Sequence, residues 1–511
     1  RRRQSVDKYD VVVVGGGMAG MVCANYLASL GRSVVVLEQN HHTGGNMSGF
    51  RRKGYTFDGG DQSFESLGLV FPILRELGIL EQQEWTKVRY RFTSPDFDFF
   101  LDDFQSVEEA LRRAFPRETG FGPLFAEAKQ VSRFISEHCD PWGFPLLEHP
   151  TPARILRFLK WLPRLRRWLT YRYRLEACSV IQDPALRQWF SQIGYYHMPY
   201  LFFGGFWHLW MKDYWYPVGG MQALHDRLAG RFTQAGGSLR CNTTVSRIAV
   251  EGGRAAGVVT SEGEEVRGGR VVYAGDYRRL VGGLLDESLF RPSFVAKIRS
   301  ARLTESLVNV YLGLNRPVEQ LEPLLQAHHA FYFPNYEVIF PDRDSDRDVH
   351  RRMWVTVNFF GKENPGFAPP GKSTLVLQTY SSYDWQNHWH NGGGSFERTP
   401  EYRRFKDEVG GHLVEVAENL LPGLRSWIDY FEVGTPLSIE RFSLNTGGST
   451  GGWCYEDTVS PVYRLPWLNL FRTPMRGLTA TGHYALWPGG VISAALSGKI
   501  AANLVLSLIH I

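Results

Sequence analysis

Tyr9-Asp10-Val11-Val12-Val13-Val14-Gly15-Gly16-Gly17-Met18-Ala19-Gly20 is the stretch on which the fold turns. The four valines are β-branched and end at glycine, the pattern of a fully buried parallel strand. Gly15, Gly17 and Gly20 satisfy GxGxxG, and Met18 to Leu30 then carries Ala24, Leu27 and Ala28 at helical spacing until Gly31 stops it. Ser33-Val34-Val35-Val36-Leu37-Glu38 reads as the second strand, and Glu38 falls 18 residues after Gly20. Each part has a physical job. Gly15 permits the tight turn, Gly17 lets backbone N–H groups approach a pyrophosphate, and Gly20 lets helix and strand pack closely. Glu38 is placed to accept from ribose hydroxyls. Glycines alone could be an unliganded turn; strand, glycines, helix, second strand and terminal acid in order make a dinucleotide site. No Lys or Arg follows Glu38 until Arg51, so a 2′-phosphate is unwelcome and NADP is not expected.

The fingerprint does not choose between NAD and FAD. Behind the second strand come Gly44-Gly45-Asn46 and Gly54-Tyr55-Thr56-Phe57-Asp58-Gly59-Gly60-Asp61, where an NAD dehydrogenase would run on into its next helix. Two surface turns would look the same in isolation. In sequence with the fingerprint they suit a chain lying along an extended ligand, which is FAD. Downstream, Trp215-Tyr216-Pro217-Val218-Gly219-Gly220-Met221 opens a helical pattern that ends at Gly236-Gly237. The runs 238–241, 245–251, 254–260 and 271–274, separated by glycine turns, predict a β-meander. Near the end, Gly477–His483 reads as a strand entering a loop, and Pro488-Gly489-Gly490-Val491 leads into a small-residue helix over 492–504.

These blocks resemble the phytoene desaturase and carotenoid isomerase family within the amine oxidase flavoprotein superfamily, over residues 9–504. Trp215–Met221 and Gly434-Thr435-Pro436-Leu437-Ser438-Ile439-Glu440-Arg441-Phe442-Ser443-Leu444-Asn445 look like the pattern of bacterial carotenoid desaturases, and Pro488–Val491 with Ser497-Gly498 is similar to the closing flavin motif. The resemblance implies an α/β fold: a Rossmann-like FAD-binding domain of discontinuous segments (8–70, 215–285 and 468–511), an inserted sheet-based substrate domain (71–105 and 286–467), and a helical, membrane-proximal region (106–214). It implies FAD held by Gly15, Gly17, Met18, Ala19, Gly20 and Glu38 at the adenosine diphosphate half, and by the Val245 backbone at the adenine. Gly44, Gly45, Asn46, Gly482 and His483 belong to the same set, with Gly60, Gly490 and Val491 near the ring system. Asn46 stands where relatives often carry Arg, and His483 where many carry an acid. No catalytic residue emerges, because flavin chemistry on a polyene asks chiefly for orientation and a dry site.

The implied substrate is a lipophilic polyene, desaturated by hydride transfer to flavin. Residues 151–174 hold eight basic side chains and no acid, with Leu159, Trp161, Leu162, Leu165, Trp168 and Leu169 as an apolar side. That composition suits helices on an anionic membrane surface, and equally an internal hairpin with a solvated basic face. Pro163 predicts two short helices rather than one. The aromatic run from Tyr195 to Trp210 could line a long apolar tunnel or be core. Runs 307–314, 353–360 and 374–380 predict strands, and 402–421 a helix. His388 and His390 lack an acid or cysteine at ligand spacing, so no metal is expected.

Composition fits a globular protein: 511 residues, 43% hydrophobic and 21% charged, with a net charge of +5. The basic cluster comes without a nucleic-acid module, which excludes nucleic acid as a partner. Five cysteines without metal or paired spacing suit a reducing compartment, and we expect a cytoplasmic protein peripheral on the membrane. The arginine-rich start has no apolar segment behind it, and no window approaches the ~18 consecutive apolar residues of a spanning helix. Without a second dinucleotide fingerprint, oxygen or a membrane quinone is the expected electron acceptor rather than NAD. Competing readings share the motifs: a redox-neutral isomerase, a saturase, a flavin amine oxidase, or a non-catalytic binding protein on the same fold, as in Rab escort proteins and GDP-dissociation inhibitors.

Overall fold

A computed structural model describes residues 8–337, 339–393, 396–455 and 470–509. The expected boundary at 467/468 lies outside the described residues.

Strand β1 (Lys8–Val14) buries Val11, Val12, Val13 and Val14, each contributing roughly 2 kcal/mol by removal from water. It lies parallel to β2 (Val34–Leu37) on one side and to strand Glu265–Tyr273 on the other. Helix α1 (Met18–Ser29) makes the crossover between β1 and β2. The full order is Val245–Glu251, Arg254–Thr260, Glu265–Tyr273, β1, β2, Ser238–Arg240, and Leu478–Ala480 pairs parallel with Val271–Tyr273. Three stretches far apart in sequence thus meet in one sheet.

The meander is smaller than expected at its start. Ser238–Arg240 pairs parallel with Val35–Leu37 instead of joining it. It follows helix Met221–Gln234, so it enters the sheet as a parallel strand on the far side of β2. The last helix, Gly490–Ile509, packs across α1. A β-carbon on Gly498 would stand 2.5 Å from the Ala19 carbonyl oxygen, so the backbones touch. Among the described residues this helix alone is long and apolar enough to cross a membrane, which counting uninterrupted apolar residues missed because Lys499 divides it. Half of its apolar window is buried inside the protein, as befits a core helix.

A second sheet runs Ile428–Gly434, Ser306–Leu314, Ser373–Ser381, Val355–Asn358, His329–Tyr332, Tyr90–Thr93, Asp98–Phe100. Its pairs are antiparallel except where His329–Tyr332 meets Tyr90–Thr93. Helix Pro400–Ala417 covers one face through Tyr402, Phe405, Val409 and Leu413. His388 and His390 lie in a left-handed turn, φ 57° and 58°. Between the sheets in sequence lies a set of helices that includes Phe121–His138, Pro152–Leu159, Leu162–Trp168, Tyr171–Cys178 and Tyr200–Lys212. Pro163 sits in the first turn of Leu162–Trp168, the position where its missing N–H costs nothing.

Candidate functional site

The turn after β1 is built as its glycines require. Gly15 has φ +104°, a conformation costly for any residue with a β-carbon, and that carbon would lie 3.1 Å from the Ala274 carbonyl oxygen. A β-carbon on Gly20 would lie 2.0 Å from the Gly15 oxygen, so Gly20 serves packing of α1 on the turn. Gly17 differs: its backbone is extended (φ −74°, ψ −179°), and an added carbon would meet nothing nearer than the Gly45 α-carbon at 3.8 Å. The second glycine doublet lies alongside. Gly44 N–H donates to the Gly16 carbonyl at 3.0 Å, with Gly44 at φ +147°. At the end of β2, the Glu38 carboxylate accepts from Gly16 N–H at 2.7 Å and from Asn40 N–H at 2.8 Å. Burial pushes its pKa up, and those backbone donors oppose the shift. A carboxylate has about four acceptor positions, which leaves capacity for hydroxyl groups.

These loops open into a continuous cavity of about 980 Å³. It is lined by Gly15, Gly17, Met18, Ala19, Glu38, Gly44, Gly45, Asn46, Val245, Gly482, His483, Gly490 and Val491. Two expected site residues do not reach it. Gly20 is consumed by packing, and Gly60 presses on the Asn46 backbone, where a β-carbon would lie 2.3 Å from the carbonyl oxygen. Asn46 reaches across to the Thr450 carbonyl at 3.5 Å. His483 is held neutral, because burial lowers its pKa to about 4.

Beyond the glycine walls the cavity continues as an apolar arm. Helix Tyr200–Lys212 divides its side chains between two faces: Leu201, Phe202, Gly205, Phe206 and Leu209 line the cavity, while Tyr200, Phe203, Trp207 and Trp210 are buried in the core. The aromatic run is therefore both cavity wall and core, separated by helical spacing. The arm continues along Phe134, Ile135 and Cys139 to Phe144 and Leu169, among the basic helices.

Those helices split the expected apolar side: Leu159 and Leu162 face outward, but Trp161, Leu165 and Trp168 turn inward. Trp161 and Trp168 are buried, their indole N–H groups donating to Glu137 at 3.0 Å and Glu127 at 2.6 Å. Leu165 is buried with them. Arg174, one of the eight basic side chains, is fully buried, capping the carbonyls of Ile193, Tyr195 and Met198. The outward apolar residues are Ile155, Leu156, Leu159 and Leu162, between 45% and 60% exposed, beside Arg157, Lys160 and Arg164. Tryptophan's size and N–H favoured anchoring to acids within the protein over the outer surface.

Two lining residues escaped the sequence reading. Asp61 and Glu65 face the cavity just past the Gly59-Gly60 doublet. Burial raises the Asp61 pKa to about 7. Burial, with repulsion from Asp213 and Asp61, raises Glu65 to about 8. No sequence signal marks them: in Asp61-Gln62-Ser63-Phe64-Glu65-Ser66 the residue types do not alternate, and Asp61, Ser63, Phe64 and Glu65 line the cavity while Gln62 and Ser66 turn into the protein.

The profile of the family described as flavin containing amine oxidoreductase matches residues 18–506. The chain is 24% identical to the all-trans-retinol 13,14-reductase of Danio rerio, over 97% of this chain and 86% of the relative. It is 25% identical to the chloroplastic prolycopene isomerase 1 of an Oncidium hybrid cultivar, over 98% and 84%. It is 24% identical to the lycopene-forming phytoene desaturase of Pseudescherichia vulneris, over 83% and 85%. Among solved structures, a putrescine oxidase variant superposes with a TM-score of 0.61 at 14% identity, covering 98% of this chain and 99% of that one, a likeness of fold alone.

Proposed function

The chain belongs to the flavin containing amine oxidoreductase family, and on that premise we propose that it binds FAD and oxidises or reduces a lipophilic polyene. The residues fit the cofactor: the extended, unobstructed backbone at Gly17, beside Gly44 and Gly45 in the same wall, leaves room for a pyrophosphate, Glu38 retains acceptor capacity for ribose, and Thr243 and Val245 offer an adenine wall. Bound there, a flavin supplies hydride exchange with a carbon chain. The protein's part is to hold that chain straight, exclude water and place it beside the Gly482–Val491 wall.

The observation that carries the substrate class is the apolar arm. A polar amine would gain nothing from Leu201, Phe206 and Leu209, whereas a long polyene buries its length there at roughly 25 cal/mol per Å². The sequence resemblance favours desaturation, with hydride passing to FAD. Saturation or isomerisation with reduced flavin is a second reading, supported by Asp61 and Glu65 as groups able to carry protons and by relatives that reduce retinol or isomerise prolycopene. Access is from a membrane: helix Pro152–Leu159 packs Phe158 on Phe134 and His138 of the cavity wall, and its outward Ile155, Leu156 and Leu159 have basic neighbours that suit anionic headgroups. The protein then sits peripherally on a membrane facing a reducing compartment.

Product analysis tests this directly. Purified protein is given phytoene, prolycopene or retinol in vesicles, once with oxidised and once with reduced FAD. A more unsaturated product with oxidised FAD supports desaturation; an isomer or a saturated product with reduced FAD supports the second reading. Peroxide from putrescine with no change in any polyene would refute both.

A further inference from the structure

We propose that Glu65 and Asp61 form a paired acid–base group that exchanges protons with the polyene carbon adjacent to the one that exchanges hydride. The inference rests on the polyene reading above.

The geometry places both carboxylates where the glycine-lined groove becomes the apolar arm. Glu65 stands against the start of the last helix: a β-carbon on Gly490 would come within 2.7 Å of its Oε1. Gly490 and Val491 share the cavity wall with Asp61, Ser63 and Glu65, and Tyr195 and Tyr214 close the same region. Tyr214 acts on Glu65 from the same wall. Asp61, Asp213, Tyr90, Tyr195 and Tyr214 surround Glu65, and all of them are acids. Neither carboxylate forms an ion pair among the described residues.

Two acids in an apolar cavity without counter-charge cost stability, and a purely structural pair would be paired or solvated. Their raised pKa values, near 7 and near 8, leave one protonated and one ionised around neutrality. Such a pair can give and take a proton without solvent. In desaturation, one carbon loses hydride to the flavin. The neighbouring C–H bond then leaves its electron pair in the new double bond and its proton on the carboxylate. In saturation the same atoms move in reverse: hydride comes from reduced flavin and the proton from the carboxylic acid. The assignment therefore holds in either direction.

The test uses the FAD-loaded protein and three forms: wild type, Glu65→Gln and Asp61→Asn. Flavin absorbance gives cofactor retention, infrared difference spectroscopy follows the protonated-carboxyl stretch against pH, and mass spectrometry follows deuterium from heavy water into a saturated product. We expect both variants to keep FAD. Turnover should fall about 10²-fold or more in Glu65→Gln, and the carboxyl band titrating near neutrality should vanish with it. In the wild type we expect a break in the pH–rate profile in the same range. Full turnover by Glu65→Gln, or a wild-type profile flat across neutrality, would overturn the pair. If Glu65→Gln fails to keep FAD, the wild-type profile and the Asp61→Asn infrared titration decide the matter alone. Wild type inactive on every polyene would remove the functional reading itself. Oxidation of an aliphatic amine, abolished by Glu65→Gln, would make the pair an ammonium site instead.

Discussion

The Tyr216 hydroxyl donates to Asp58 Oδ2 at 2.5 Å across 158 residues of sequence, binding the two motifs that follow the fingerprint to one another. The other Asp58 oxygen accepts from Met221 N–H at 2.8 Å, and Asn364 donates to the Tyr216 oxygen at 2.6 Å. One hydroxyl thus joins the loop of Asp58, the Trp215–Pro217 strand and the connection after strand Val355–Asn358 of the second sheet. Removing it leaves both a buried carboxylate oxygen and a buried amide without a partner. Tyr216→Phe is expected to destabilise the protein by about 3 kcal/mol, read by chemical denaturation, although the ring's stacking on Phe360 is kept.

Gly17 and Gly20 are both fingerprint glycines but differ in what they do. Gly17→Ala has a permitted backbone and no near neighbour, so its methyl group intrudes only on the groove. Its expected result is apoprotein of unchanged stability with FAD affinity lowered at least about tenfold, measured by titration of flavin fluorescence. Gly20→Ala must move the Gly15 carbonyl, and is expected to lower folding stability by about 2 kcal/mol or more even without cofactor.

The difference between those glycines marks how far the sequence carries. The valine runs and the GxGxxG spacing specify β1, α1 and β2 because strand, turn, helix and second strand follow one another within residues 8–37, although the other neighbour of β1, Glu265–Tyr273, is distant in sequence. Ser238–Arg240 shows the limit: its composition allows any strand partner, and only the preceding helix, by returning it to the far side of β2, makes it parallel. Trp161 and Trp168 show another. Periodicity puts them on an apolar face, but whether that face meets a membrane or the Glu127 and Glu137 carboxylates depends on helix Phe121–His138, distant in sequence. Asp61 and Glu65 were illegible because a loop acid is ordinarily solvated. Only the closure of the Tyr195 and Gly490 regions around them makes them unusual.

The outward residues Leu156 and Leu159 are the ones a membrane would bury. Leu156→Glu with Leu159→Glu is expected to weaken sedimentation with phosphatidylglycerol vesicles by at least about tenfold, since each leucine forfeits roughly 1.5 kcal/mol or more of transfer. Flavin absorbance should not change, because neither residue lines the cavity. Trp168→Phe behaves oppositely: it breaks the bond to Glu127 and destabilises the helices, with vesicle binding affected only as folding is.

Glu65 also makes the protein's stability depend on pH in a predictable sense. Its carboxyl pKa lies at about 8 in the folded protein against 4.5 ordinarily, so the folded state binds the proton more tightly than the unfolded chain. Its contribution is fully present below the ordinary value and is lost as pH rises through the folded value, a slope set by the extra proton that the native state holds. Asp61, shifted from 3.8 to about 7, adds to the same slope at slightly lower pH. Melting temperature should therefore fall between about pH 5 and about pH 9, and Glu65→Gln, which carries no proton to lose, should fall less over that range. Parallel curves for the two proteins would mean that the cavity leaves Glu65 solvated; a shallower curve for the variant would mean that the folded protein resists charging this carboxyl in the cavity wall.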